Sequence, residues 1–222
     1  MSMSFDHRWV VGYEDFLLDV RGRPYQEVAA YLLQQLPYEW RDNYIAMTRK
    51  LSDISIVTED RLSYLFDFHD EPQVSDCPIP AEAVLKEARL VAAYGYVTKP
   101  TTSRPASSST TMLRFVGRTE QHFGGGFDKG HFIAHTLGGS VNINLFPQAR
   151  HINRGWSSEG KVYRQMERYC CDNPSVMLFS RPLYSDYTAR PAAIEFGVLR
   201  TDGTLWVQMF TNRPEYARTK SR

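Results

Sequence analysis

Cysteine is scarce in this sequence: three among 222 residues, Cys77, Cys170 and Cys171. One adjacent pair and one distant thiol do not make a disulfide framework, which argues against a small cross-linked secreted scaffold. No two of them stand at zinc-ligand spacing with histidines following, so no structural zinc site is expected. Long hydrophobic runs are missing as well. No stretch of 18 apolar residues occurs, and no membrane span is expected. The opening segment MSMSFDHRW lacks the basic stretch and apolar core of a cleaved secretory signal. The expected location is the cytoplasm, with signal-independent export as the alternative.

A large net charge is also absent, but the total of +1 hides an asymmetry. Residues 1–99 carry ten Lys and Arg against sixteen Asp and Glu, a difference of −6, whereas residues 100–222 carry sixteen against nine, a difference of +7. An anionic partner fits the second part better than the first. The sign changes at PTTSRPASSSTTM, residues 100–112, where Ser, Thr and Pro dominate and a linker or surface loop is expected. The chain thus divides into an acidic N-terminal region of unknown role (1–99), this junction (100–112), and a basic domain (113–222).

Hydrophobic periodicity supplies the elements. Short apolar groups over residues 7–18 suggest strands, followed by a turn at Arg21-Gly22-Arg23-Pro24. Residues 25–36 read as a helix stopped by Pro37. Residues 42–50 are ambiguous, whereas 52–57 and 62–68 resemble strands. Pro80 is expected to open a helix over 81–93, with Gly95 as its terminator. Residues 113–116 read as a strand. Ser157 or Ser158 caps a helix running through Cys171, ended by Asp172-Asn173-Pro174. Strands follow at 176–179, 194–199 and 204–210, the last two joined by a turn carrying Asp202-Gly203.

The most unusual stretch is GGFDKGHFIAHTLGGSVNINLFPQARHINRGW, residues 125–156. Six glycines alternate there with His131, Asp128, Asn142, Asn144, Gln148, Arg150, His151, Asn153 and Arg154. Buried polar groups each need a partner, so a plain core strand does not carry this composition. A base, amide oxygens and cations gathered together suit chemistry on a charged substrate, with or without a metal.

Asp128-Lys129-Gly130-His131, then Asn144-Leu145-Phe146-Pro147-Gln148, then Asn153-Arg154-Gly155 resemble the motifs of the non-specific DNA/RNA endonuclease family with a ββα-metal core, in its compact toxin or effector forms. The resemblance covers residues 113–174. It implies an α+β fold: a ββα-metal nuclease core with a mainly antiparallel sheet, here with an added N-terminal α/β region. It also implies a magnesium ion, with manganese as a substitute, bound through Asn153. That ion would bridge a phosphate oxygen and the 3′ leaving oxygen and leave a 5′-phosphate product.

Within this resemblance His131 is the general base, since an imidazole with an ordinary pKa near ~6.5 takes a proton from water at neutral pH. Asn144 positions the base or its loop, and Asp128 fixes loop geometry more readily than it binds metal. Glu167 orders metal-bound water from the following helix, with Glu159 as the competing acid. Lys129 stands where the family has Arg, which keeps the charge but loses the planar fork. The phosphate clamp would then fall on Arg118, Arg150 or Arg154, while Arg164 contacts phosphate or pairs with Glu167. His135 reads as structural or as a groove residue, because the glutamate of a zinc protease is missing between it and His131. His122 and His151 are candidate channel residues, and Cys170 is a core residue. Partners implied are DNA or RNA and an acidic immunity or inhibitor protein. A non-catalytic nucleic-acid-binding module is the alternative function.

Overall fold

The computed structural model describes residues 10–48, 54–67, 89–99, 124–140, 143–186 and 188–214. Six strands form one sheet: β1 (Ile54–Glu59), β2 (Leu62–Asp67), β3 (Arg89–Tyr96), β6 (Met177–Leu183), β7 (Ala193–Leu199) and β8 (Leu205–Thr211), in that spatial order. Every neighbouring pair is antiparallel. A smaller antiparallel pair consists of β4 (Phe127–His131) and β5 (Leu145–Ala149). The architecture is α+β, with antiparallel sheets throughout the described residues.

Side chains alternate across a strand, and here the alternation feeds two separate cores. Leu62, Tyr64 and Phe66 of β2 and Ile194, Phe196 and Val198 of β7 enter one of them. Leu65, Met177, Phe179, Ala193 and Leu199 enter the other. The second core is closed by α1 (Tyr13–Asp19) and α2 (Tyr25–Thr48), through Val28, Ala29, Leu32, Leu36, Trp40 and Tyr44. Leu32 and Leu36 are fully buried, each contributing roughly 1.5–3 kcal/mol by leaving water. The first core is closed by β4, β5 and the helix α4 (Ser158–Asp172), with Tyr163 packed on Phe196 and Phe210 at ring separations of 5.5 and 5.1 Å.

A buried ion pair ties the helical layer to the sheet. Arg181 and Glu195 face each other across β6 and β7, with Nε and Oε2 2.7 Å apart. The Tyr13 hydroxyl donates to the same carboxylate, and the Trp40 indole N–H donates to the Tyr13 oxygen at 3.2 Å. Asn43 accepts from Arg181 at 3.2 Å. Burial, and then the Glu195 charge, raise the Tyr13 pKa well above the ordinary phenol value.

Several expected elements differ from those observed. Pro37 lies inside α2 instead of ending it. The apolar stripe continues past it through Trp40 and Tyr44, so packing outweighs the lost backbone hydrogen bond. Residues 13–19 are helical, not extended. Of the helix expected over 81–93, residues 89–93 belong to β3, and the earlier part lies outside the described residues. A short apolar run buried on both faces carries no period that separates helix from strand. Gly95 sits within β3, where a Cβ would stand 2.1 Å from the Arg61 carbonyl oxygen. Close backbone approach, not helix termination, accounts for that glycine. The expected strands near β1, β2, β6, β7 and β8 are present, as is the helix after Ser157. The strand expected at 113–116 and the 100–112 junction lie outside the described residues.

Strand β3 precedes residue 100, yet it pairs with β6 from Ala93↔Ser180 to Tyr96↔Met177. The reversal of charge at residue 100 therefore does not coincide with a sheet edge.

Candidate active site

Strands β4 and β5 run antiparallel with Asp128 opposite Gln148 and His131 opposite Leu145. Gly130 allows this pairing: a Cβ there would lie 2.3 Å from Gln148 Oε1. Gln148 itself is buried. Directly after β5 comes the short helix α3 (Arg150–Asn153), then Arg154 as its C-cap and Gly155 at φ +70°.

Asp128 organises α3. Its Oδ1 accepts from Arg150 Nε at 3.0 Å and from Arg154 Nη2 at 3.1 Å. Its Oδ2 accepts from Arg154 Nε at 2.7 Å and from Asn153 Nδ2 at 3.2 Å. Arg154 thus engages the carboxylate with a two-pronged fork. Burial alone would raise the Asp128 pKa, but the bonds from Arg154, Asn153 and Arg150 outweigh it and hold the carboxyl below its ordinary value. Because the Asn153 amide nitrogen is directed at Asp128, its carbonyl oxygen is turned away from that carboxylate. Lys129 is half-buried, and burial lowers its pKa.

The loop that leaves β4 is clasped by Asn144. Ile133 N–H donates to Asn144 Oδ1 at 2.9 Å, while Asn144 Nδ2 donates to the carbonyls of Ile133 (2.5 Å) and Ser140 (3.1 Å). Phe132 N–H also donates to the Asn144 carbonyl at 2.9 Å. Gly139 fits beneath this clasp, since a Cβ would stand 1.8 Å from the Ile133 carbonyl oxygen. Asn144 is fully buried; three of its four bonds fix the backbone one and two residues after His131, and the fourth reaches Ser140. The His131 carbonyl accepts from the Tyr163 hydroxyl of α4 at 3.4 Å. His135 occupies a 3-10 turn, His135–Leu137, with Nδ1 3.3 Å from the Gly139 carbonyl, a local structural contact.

Helix α4 begins at a capped end: Ser157 Oγ accepts from Gly160 N–H at 3.0 Å. Gly160 lets this turn approach α3, for a Cβ would stand 2.3 Å from the His151 carbonyl. The His151 ring bridges Ser157 Oγ at 2.9 Å and the Arg213 carbonyl at 2.7 Å. A carbonyl only accepts, so Nε2 carries hydrogen in the contact with Arg213. His151 is therefore a clasp between two segments.

The two candidate acids have different surroundings. Glu159 accepts from the Thr211 N–H at 2.8 Å, pinning the end of β8 to α4. Glu167 lies one turn beyond Tyr163 on α4 and meets Arg164 Nη1 at 3.4 Å. Its side chain is 16% exposed, and burial, opposed by Arg164, pushes its pKa up to about 7. Cys170 is a buried free thiol whose pKa burial raises, matching its reading as core.

Asp128, Arg150, Asn153 and Arg154 are thus gathered at one place, with His131 at the end of the strand that carries Asp128. Arg164 pairs with Glu167. Arg118 and His122 lie outside the described residues. Sequence reading passed over Asn212, whose Oδ1 accepts from Ala149 N–H at 2.6 Å and whose Nδ2 donates to the Pro147 carbonyl at 2.9 Å. This buried amide fastens β5 to the chain after β8. It also missed Tyr64, whose hydroxyl accepts from Ser140 N–H at 3.1 Å. Both contacts span more than 60 residues, and no local pattern announces them.

Among the described residues no group of three or more His, Cys, Asp or Glu is placed to hold a metal ion, and no helix is long and apolar enough to cross a membrane. No protein-family model and no curated protein matches the chain. Among solved structures the chain is similar to one described as the structure of Sda1 nuclease with bound zinc ion, at 17% identity and a TM-score of 0.38, covering 77% of this chain and 82% of that one.

Proposed function

We propose that the β4–β5–α3–α4 unit engages nucleic acid and acts as a metal-dependent, non-specific endonuclease on DNA or RNA. The observation that carries this reading is the Asp128 group, which draws Arg150, Asn153 and Arg154 against the strand ending in His131. Guanidinium groups bind phosphates and position a polymer without reading its sequence. His131 takes the proton of the attacking water, on a backbone held by Asn144 and Tyr163. A hydrated magnesium ion needs few protein ligands, and the carbonyl oxygen of Asn153 suits it; when bound it would neutralise charge on the phosphate and leaving oxygens. Glu167 is the acid assigned to order its waters: its contact with Arg164 is a long one at 3.4 Å, whereas Glu159 accepts from the Thr211 N–H at 2.8 Å. An inhibitor of such a site would be acidic where it faces the arginines.

The second reading is a nucleic-acid-binding module that does not cleave. It is favoured by the missing group of three acidic, histidine or cysteine ligands among the described residues. One assay separates the two. Plasmid DNA and RNA are incubated with the purified chain and magnesium, or with EDTA, beside His131→Ala. Cleavage that EDTA blocks and that falls by about 10²–10⁴ in the variant is expected. Binding without cleavage in every arm would establish the module instead, and undiminished activity of His131→Ala would remove the histidine from its role.

A further inference from the structure

Trp156 is 63% exposed, although a large indole usually hides most of its surface. A single exposed aromatic is ordinary on a protein surface; three features set this one apart. Its backbone is fixed, with its N–H donating to the His151 carbonyl at 2.9 Å just after the positive φ of Gly155. The Arg154 guanidinium lies over the indole, 5.0 Å from the ring centroid. That guanidinium is itself anchored by two bonds to Asp128, the carboxylate that also holds Asn153. The ring is therefore held in place beside the Asp128–Arg154 pair and remains open to solvent.

We propose that Trp156 is a stacking platform for an unpaired base next to the scissile phosphate, so that the site takes single-stranded nucleic acid in preference to duplex. The inference rests on nucleic acid being the target of this region. A flat π-face with a cation behind it suits a heterocyclic base, and stacking is tolerant of base identity. In a duplex each base is already stacked between its neighbours, and bringing one onto the indole requires unstacking it, at a few kcal/mol. Arginine contacts to phosphate distinguish the two forms much less. An aliphatic side chain of a partner protein is the competing occupant, and it gives no such discrimination.

The test is binding without turnover, in EDTA and in the His131→Ala background. The probes are a labelled 12-nucleotide thymidine single strand, the same strand with its central bases removed, and a 12-base-pair duplex. Trp156→Leu should weaken the intact single strand by about tenfold, within the range for one stacked base. Trp156→Phe should retain most of the affinity, and the abasic strand and duplex should respond little. A duplex bound as tightly as the single strand, an equal loss on all three probes, or no loss in Trp156→Leu overturns the proposal. Magnesium-dependent cleavage by the unsubstituted chain, run in parallel, reports on the endonuclease reading alone. Cleavage without a Trp156 effect removes only the stacking role. A selective Trp156 effect without cleavage supports the platform and removes only the hydrolysis.

Discussion

Two carboxylate–arginine groups in this molecule use the same chemistry for opposite ends. Between α1, α2 and the large sheet, Arg181 and Glu195 are 2% and 7% exposed, and each has neutral partners from the helices. At α3, the single carboxylate of Asp128 meets two arginines whose side chains are 32% and 46% exposed. The first arrangement fixes how layers pack. The second places guanidinium groups where solvent reaches them.

The sharpest way to break this contrast is to unbalance the buried pair. Glu195→Gln keeps the shape but removes the carboxylate charge bonded to buried Arg181, and a loss of roughly 3–5 kcal/mol in urea unfolding is expected. The double change Arg181→Met with Glu195→Leu should recover a large part of that. A Glu195→Gln loss below about 1 kcal/mol would mean that the pair does not carry the fold.

Glu167 is the intermediate case, a mostly buried carboxyl against an exposed arginine. The folded chain holds its proton more tightly than the unfolded chain, with a pKa of about 7 against 4.5. Its contribution is therefore fully present below about pH 4.5, declines as pH rises and is gone above about 7. The whole span amounts to about 3 kcal/mol. Stability measured in EDTA across this range should show a smaller decline in Glu167→Gln than in the parent; parallel curves would show that burial does not perturb the group.

The smallest stability change belongs to Asp128. Its partners are partly exposed, so Asp128→Asn should lower stability by only about 1 kcal/mol, although it removes the carboxylate that Arg150, Arg154 and Asn153 share. On the endonuclease reading proposed above, nucleic-acid cleavage should fall at least tenfold, as a loss of positioning. A variant that cleaves normally would show that the Asp128 group does not organise the site.

The cluster around Asp128 was more legible in the sequence than the layers around it. Asp128, Asn144, Asn153 and the glycines lie within 30 residues of one another, and their spacing is a local property. Helix α4 was legible too, through its Ser157 cap and its apolar stripe. Strand β3 was not, because a central strand buried on both faces lacks alternation. Pro37 misled because its effect depends on what the helix packs against. Asn212 and Tyr64 act across the fold, and nothing near either residue distinguishes it from an ordinary polar or core position.

The ladder between β3 and β6 has a consequence for how this chain tolerates being cut. Severing the backbone between residues 100 and 112 would leave three strands of the large sheet on each fragment, β1–β3 on one and β6–β8 on the other. Each fragment would expose a bare strand edge, and the Tyr64 hydroxyl would be parted from the Ser140 loop. The pieces would be complements, not modules: the intact sheet would return only on mixing, with a dose dependence set by how tightly two half-sheets find each other.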